Sequence, residues 1–380
     1  PTRRLDGALA YARTHGFEGH DPFDGLNSLR LRASRWADAP WAQLLVQYAC
    51  QRAPFDLRTP LWVLSAFSPK GAALAMLGLL EAYRRVGDQR YAEAAYALLG
   101  RLKACPAERP EGVGWGHPFD WRGGGGLVPA HTPHAGVSVA VGRALRSYHR
   151  TFGDAEAKEL SDGVAAFLRA ELPTHEDAEG LCFSALPGEG RHLHVSHAVN
   201  LQVAAYLAET YRQRYGERVR QLIHKAAAYS VRAMRHDGAL PYGTRRFQRW
   251  VGHGPTAGAL TALYELRGAL REDHRLVGAL GTDPDEFRDD WDRALAYYLR
   301  ELFTPKGIPK IAPNRLYPIE SHTLAHALAF CGAVPLPERH AARAAQIRGT
   351  AFRLLRKFQA PDGSFAYRKG RRHWNRTPYM

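Results

Sequence analysis

Residues 359–370 read QAPDGSFAYRKG. A Pro-Asp-Gly turn signal is followed two residues later by an aromatic, and the stretch before it (336–359) has the amphipathic spacing of a helix. The same kind of break occurs at PEGVGWGHPFDW (110–121), EDAEGLCFSALP (176–187), RHDGALPYG (235–243) and TPKGIPKIAP (304–313). The glycines in these breaks, Gly112, Gly180, Gly238, Gly307 and Gly363, stand 68, 58, 69 and 56 residues apart. A period near 60 marks an internal repeat.

A second signal follows each break. Lys70 in SPKGAA, Pro133 in HTPHAG, Ser196 in VSHAVN, Pro255 in GPTAGA, Ser321 in ESHTLA and Pro378 in RTPYM are 63, 63, 59, 66 and 57 apart. Pro, Ser and Thr at such places start helices, by preset φ or by capping free N–H groups. The stretches that follow, such as GAALAMLGLLEAY, AVNLQVAAYLA and HTLAHALAF, are apolar or small on most faces and read as buried helices. More amphipathic helices come next, at 88–103, 154–171, 217–236, 283–303 (after a longer link, 271–282) and 336–359. Buried helix, turn, amphipathic helix and long Gly/aromatic loop make one unit. The expectation is an all-α fold, an (α/α)6 toroid of helical hairpins forming one domain over 1–380, with 1–60 as an irregular first unit. The sixth buried helix is expected to start at Thr377–Pro378, where the sequence stops, so the toroid is incomplete or the native chain continues.

Composition narrows the partners. The longest apolar run, GAALAMLGLL (71–80), is too short to span a bilayer, and no signal-peptide pattern opens the chain at Pro1. Cys50, Cys105, Cys182 and Cys331 form no C-x-x-C pair. They read as buried free thiols of a reducing compartment, which points to a cytoplasmic protein. With 52 Lys+Arg against 37 Asp+Glu the formal charge is +15, favouring an anionic partner. No nucleic-acid-binding signature accompanies TRRFQRW (244–250) or RKGRRHW (368–374), so nucleic acid is not the expected partner.

Long loops on a rigid scaffold carry sites, and in a toroid these five share a face with the buried-helix N-termini, which favour anions. The loops supply His117, Asp120, Trp121, His131, His192, His194, His197, Tyr242, Arg246, Trp250, His253, Tyr317, Glu320, His322, Tyr367 and Arg368. Aromatics beside Arg and His suit stacking on sugar rings with charge pairing to carboxylate or phosphate. The plainer account is that the aromatics plug the funnel mouth and the histidines are surface groups. His192, His194 and His197 in RHLHVSH lack a local carboxylate or Cys, so neither metal nor cofactor is expected. In ESHTLAH, Glu320 and His322 read as an acid/base pair, or Glu320 as a helix cap. Asp120 in HPFDW is a candidate acid raised by desolvation, or a turn-forming Asp. HDPFDGL (20–26) reads as an Asp-Pro turn, with joining the mouth as the weaker alternative, and FRDDWD (287–292), which resembles fragments of acidic prenyl-diphosphate motifs, reads more simply as the acidic first turn of a helix.

WGHPFDW, LCFSALP, HAVNLQVAA, DGALPYG, ELFTPKGIPKIAPNRLYPIESHT and QAPDGSFAYRKGRRHWNRTPYM together resemble a family of bacterial toroid proteins of exopolysaccharide and lipopolysaccharide biosynthesis. The resemblance covers nearly the whole chain. It implies a terpenoid-cyclase-like or six-hairpin-glycosidase-like toroid. The implied ligand is an anionic or lipid-linked saccharide, with peripheral association with membrane-bound polysaccharide machinery. Members carry Asp-Asn-Phe-His-Thr-Gly where this chain reads WVGHGPTAG, so their Asp falls on Gly252 and their His on Pro255. The pattern of Tyr-Pro followed by an acid and a His is kept at 317–322, as Tyr317-Pro318, Glu320 and His322. The departure fits a shifted substrate or a member that binds without turnover. QAPDGSF is also similar to the Gln-Gly-Trp turn of squalene-type cyclases, but their D-x-D-D proton donor is missing.

Three functions follow. The first is an enzyme on an anionic glycan. Its catalytic groups are Asp120 and Glu320 for hydrolysis, or His322 or a Tyr as base with Arg246 or Arg368 holding a carboxylate for lyase or epimerase chemistry. The remaining substrate-binding candidates are His117, Trp121, His131, His197, Tyr242, Trp250, His253, Tyr317 and Tyr367. The second is a non-catalytic glycan-binding or assembly subunit. The third is an isoprenoid-handling toroid.

Overall fold

Two glycine–aspartate pairs, Gly87–Asp88 and Gly153–Asp154, show how the hairpins are made. Each glycine is left-handed and ends one helix, and the next residue caps the following helix through its carboxylate. The computed structural model describes residues 2–123, 125–178, 180–188, 195–211, 217–272 and 287–378. Its longer helices are α1 (Thr2–Thr14), α5 (Pro69–Val86), α6 (Gln89–Lys103), α7 (Ala135–Phe152), α8 (Ala155–Ala170), α9 (His197–Tyr211), α10 (Glu217–Arg232), α11 (His253–Glu272), α12 (Arg288–Glu301), α13 (Ser321–Ala333) and α14 (Glu338–Phe358). The irregular N-terminal stretch adds α2 (Leu29–Arg32), α3 (Pro40–Arg52) and α4 (Arg58–Leu61). The link expected at 271–282 and the start of the helix expected at 283–303 lie largely outside the described residues.

The chain divides into two compact units. The first comprises Pro1–Pro173, Ser184–His194 and Pro378–Met380. Here α5 packs on α6 and α7, and α7 on α8, around Met76, Leu80, Leu98, Leu99, Trp115 and Phe167. The second comprises Thr174–Phe183 and Val195–Thr377. In it α9 packs on α10 and α11, α11 on α12 and α13, and α13 on α14, around Tyr206, Tyr298, Phe303 and Phe330. α9 is buried at ten of its fifteen positions, as its largely apolar sequence requires. Among the described residues no helix is long and apolar enough to cross a membrane, and all four cysteines are free thiols.

The breaks are not plain loops. Two of them fold into two-stranded ribbons: the first into 107–109 with 112–114 and 121–123 with 126–128, the second into 174–177 with 180–183. The recurrent glycine is needed where the turn meets the outer helix of the next hairpin. A Cβ on Gly112 would run into the Gly163 carbonyl of α8, and one on Gly238 into the Arg293 carbonyl of α12. Gly180 meets Tyr229 of α10 in the same way, with 2.9 Å to its Cβ. The QAPDGSF turn closes by Gly363 N–H to Ala360 O and Ala360 N–H to Ser364 O, with Gly363 at φ +95°. The strand that follows, 366–369, is the centre of a three-stranded sheet with 319–320 and 374–378. The helix start expected at Thr377–Pro378 is therefore corrected. Those residues end a strand, because Arg371–His373 reverse the chain and return it along 366–369.

Candidate active site

In the first unit, the pairing of 18–19 with 66–67 brings the HDPFDGL turn to the N-terminus of α5. Asp24 and Arg58, each 2% exposed, form the base of this arrangement. Arg58 Nε donates to Asp24 Oδ1 at 2.9 Å, its Nη2 donates to the Asp21 carbonyl at 2.7 Å, and His20 Nδ1 lies 2.9 Å from Asp24 Oδ2. Asp24 is thereby saturated. Asp21 is less so: its Oδ1 accepts from Phe23 N–H at 2.9 Å. Burial pushes the Asp21 carboxyl up to about 6; the Phe23 bond opposes the rise, Asp24 adds to it, and Lys70 and Arg58 oppose it. Lys70, second residue of α5, is solvent-accessible, yet the surrounding protein holds its ammonium below the usual range, against the pull of Asp21.

His117 belongs to the same electrostatic group. Burial first and Lys70 second lower it to about 4, so it is a neutral imidazole near pH 7. Its ring lies 5.2 Å from Phe119 and 5.4 Å from His134, which caps α7 by accepting from Gly136 N–H. His131 is exposed at φ +61°, and its N–H donates to the His117 carbonyl at 2.7 Å. Asp120 accepts from Ala130 N–H at 2.7 Å and lies 3.7 Å from Arg32, so its carboxylate clips the 121–128 ribbon closed. Trp121 starts that ribbon and is half-buried.

In the second unit, Glu320 and Arg368 face each other across the 319–320/366–369 ribbon. Glu320 stands at the cap position of α13 but makes no side-chain cap. Its Oε2 instead lies 3.3 Å from His322 Nε2, with the histidine side chain 40% exposed and the glutamate 15%. Of the two roles open to Glu320, the helix cap is absent and the acid–imidazole pair is present. Tyr367, buried, lies parallel to the His322 ring at 6.4 Å, and Arg368 stands 5.0 Å over Tyr367. Ser321 Oγ donates to the Tyr367 carbonyl at 3.1 Å, locking ribbon to helix. Tyr317 is exposed beneath Arg371, and His326 lies one turn after His322.

Tyr242 and Trp250 stack at 4.6 Å and 10°, with Trp250 half exposed and Arg246 exposed on the short helical turn between them. They form a flat aromatic face with a cation nearby. His197 and His253 are each 1% exposed and turn into helix packing. His197 Nδ1 lies 3.3 Å from Ser230 Oγ, and His253 Nε2 lies 2.9 Å from Tyr298 OH. Burial lowers them to about 4 and about 3; nearby His326 lowers His253 further. Neither offers its ring to a ligand at the surface. His192 and His194 lie outside the described residues, and among the described residues no three His, Cys, Asp or Glu converge as a metal centre would require. Sequence reasoning missed Lys70 and the importance of Asp21. The only signals were a helix-start lysine in an apolar stretch and a second acid three residues before Asp24.

No family model matches the sequence, and no curated protein matches it either. Solved structures do. A cellobiose 2-epimerase from Bacillus thermoamylovorans B4167 aligns with a TM-score of 0.57 at 10% identity, over 82% of this chain and 84% of that one. The GH76 α-mannanase BT2949 of Bacteroides thetaiotaomicron aligns with a TM-score of 0.57 at 8% identity, over 82% and 80%. An unsaturated glucuronyl hydrolase from Bacillus sp. GL1, responsible for glycosaminoglycan degradation, aligns with a TM-score of 0.51 at 15% identity, over 80% and 79%. All share the six-hairpin (α/α)6 toroid fold, and that is the fold class of this chain.

Proposed function

We propose that the protein is a carbohydrate-active enzyme that moves a proton at a ring carbon of an anionic sugar, with His322 as base and Glu320 as the carboxylate that orients it. The observation that carries this reading is the 3.3 Å pair of Glu320 Oε2 and His322 Nε2, on a histidine side chain that is 40% exposed with its Nδ1 turned inward, and with the largely buried Arg368 across the ribbon. A neutral imidazole oriented by a carboxylate takes the C5 proton of a uronate, and the neighbouring carboxylate delocalises the electron pair. Return of a proton to the opposite face is epimerisation. Departure of the O4 substituent, protonated as it leaves, is β-elimination. Arg368 or Arg246 would hold the sugar carboxylate. Tyr242 and Trp250 would stack on a neighbouring ring.

The net charge of +15 and the resemblance to exopolysaccharide and lipopolysaccharide toroids support a substrate from polysaccharide assembly, free or lipid-linked. Sugars are also the substrates named for the epimerase, the mannanase and the glucuronyl hydrolase of like fold. One observation favours a second reading, hydrolysis. Asp21, raised to about 6, is in the range of a general acid, with Asp120 as the second carboxylate.

Uronate-containing and neutral oligosaccharides incubated in D2O separate the readings. Epimerisation places deuterium at one carbon, elimination gives an unsaturated uronate, and hydrolysis gives new reducing ends without deuterium. His322→Ala is expected to lower turnover by about 10²- to 10⁴-fold, the usual worth of a positioned base. Full activity in both His322→Ala and Glu320→Gln overturns the assignment. Tight binding of a saccharide with no turnover at all replaces it with a glycan-binding subunit.

A further inference from the structure

α3 has its polarity inverted. Gln43 and Gln47 are buried (6% and 2% exposed) and hold the ribbon strand 121–123. Gln47 Nε2 donates to the Arg122 carbonyl at 3.1 Å, Arg122 N–H donates to Gln47 Oε1 at 2.8 Å, and Arg122 Nε donates to Gln43 Oε1 at 2.7 Å. The outward face instead carries Trp41, Leu45 and Tyr48, which are 56%, 62% and 43% exposed. With Arg52 they follow the i, i+4, i+7, i+11 spacing of a single helix stripe. Trp36, 43% exposed, extends the stripe by packing edge-on to Trp41 at 5.3 Å. Each end is closed by a cation on an aromatic: Arg35 lies 4.5 Å over Trp36 and Arg52 lies 4.8 Å over Tyr48.

Single apolar side chains are ordinary on a soluble surface, but a contiguous stripe needs an occupant. The charge on this segment selects one. From residue 28 to 55 there are four arginines, at 30, 32, 35 and 52, against one carboxylate, Asp38. Trp, Tyr and Leu bordered by arginine match the bilayer interface, where the rings sit at headgroup depth and guanidinium groups pair with phosphate. A second copy of this chain fits less well, since self-pairing would bring the same arginines together. We propose that the Trp36–Trp41–Leu45–Tyr48 face, flanked by Arg35 and Arg52, docks the protein on an anionic lipid bilayer. This does not rest on the enzymatic reading. The net charge of +15 would draw the protein to such a surface before the stripe inserts.

The test is co-sedimentation of the full chain with phosphatidylcholine vesicles, with and without phosphatidylglycerol, together with quenching of tryptophan fluorescence by brominated acyl chains. The wild type is expected to pellet with phosphatidylglycerol vesicles, weakly with phosphatidylcholine alone, and to be quenched. Replacing Trp41, Leu45 and Tyr48 together by serine leaves the net charge unchanged and is expected to weaken vesicle binding about tenfold or more and reduce quenching. Arg35→Glu with Arg52→Glu keeps the stripe and is expected to abolish the preference for the anionic lipid; this pair decides if the triple variant does not fold. Three results overturn the proposal: no binding by the wild type, wild-type affinity in the serine variant, or a dimer dispersed by the serine substitutions in a protein that ignores vesicles.

Discussion

The Asp21–Lys70–His117 group and the Glu320–His322 pair both bring titratable side chains to the start of a buried helix, and they do so by opposite means. In the first, burial is the leading influence: it raises the acid, lowers the amine and lowers the imidazole, while neighbouring charges modify the result. In the second, a carboxylate lies 3.3 Å from the Nε2 of a histidine whose side chain is 40% exposed. Desolvation costs folding free energy, whereas a half-exposed pair is nearly neutral toward stability. The first group therefore depends on a rigid foundation beneath it, and the second depends on a local ribbon.

The largest effect should come from breaking that foundation. Arg58→Met leaves the Asp24 carboxylate buried with only His20 and the Asp21 N–H, and is expected to cost about 3–5 kcal/mol in denaturant unfolding. Adding Asp24→Leu should recover much of the loss; if the double variant is no better than the single, the buried pair is not what holds the HDPFDGL turn. Asp21→Asn gives a smaller effect of opposite sign. The folded-state value of about 6 lies above the ordinary 3.8, so the native state holds the proton more tightly. Wild-type stability is unaffected by this group below about 3.8, falls as pH rises through the window from about 3.8 to about 6, and stays reduced above it. The variant should therefore gain up to about 2–3 kcal/mol at pH 8 and nothing at pH 3. Equal gains at both pH values would show that burial of the charge is not the cause. Glu320→Gln should be the mildest, changing unfolding free energy by less than about 1 kcal/mol. A thermal melt shifted as strongly as that of Arg58→Met would mean the two regions do not differ in kind.

The repeat was legible because its signals are local: a glycine break, a Pro or Ser helix start, and an apolar run, returning every sixty residues or so. The closeness of Glu320 and His322 was legible for the same reason, since they stand two residues apart. The Asp21–Lys70 association was not, since it depends on the 18–19/66–67 pairing, and no property of either segment names the other. His197 and His253 show the reverse limit. They were read as loop residues open to a ligand, but they begin α9 and α11 and their side chains turn inward to Ser230 and Tyr298, a choice made by neighbouring helices. The breaks read as loops because their strands are only three or four residues long, below the length at which alternation is distinguishable from irregular chain.

The amino-acid sequence alone determined that the chain is a series of helical hairpins with a period near sixty, because helix caps, glycine turns and apolar periodicity act over a few residues. Tertiary structure alone decided why the repeated glycine is indispensable, which histidines face solvent, and which charges lose their water. Those outcomes depend on close approach between residues about forty to fifty-five positions apart, such as Gly112 against Gly163 and Gly238 against Arg293. Desolvation and steric exclusion belong to a packed neighbourhood, and a one-dimensional pattern does not contain one.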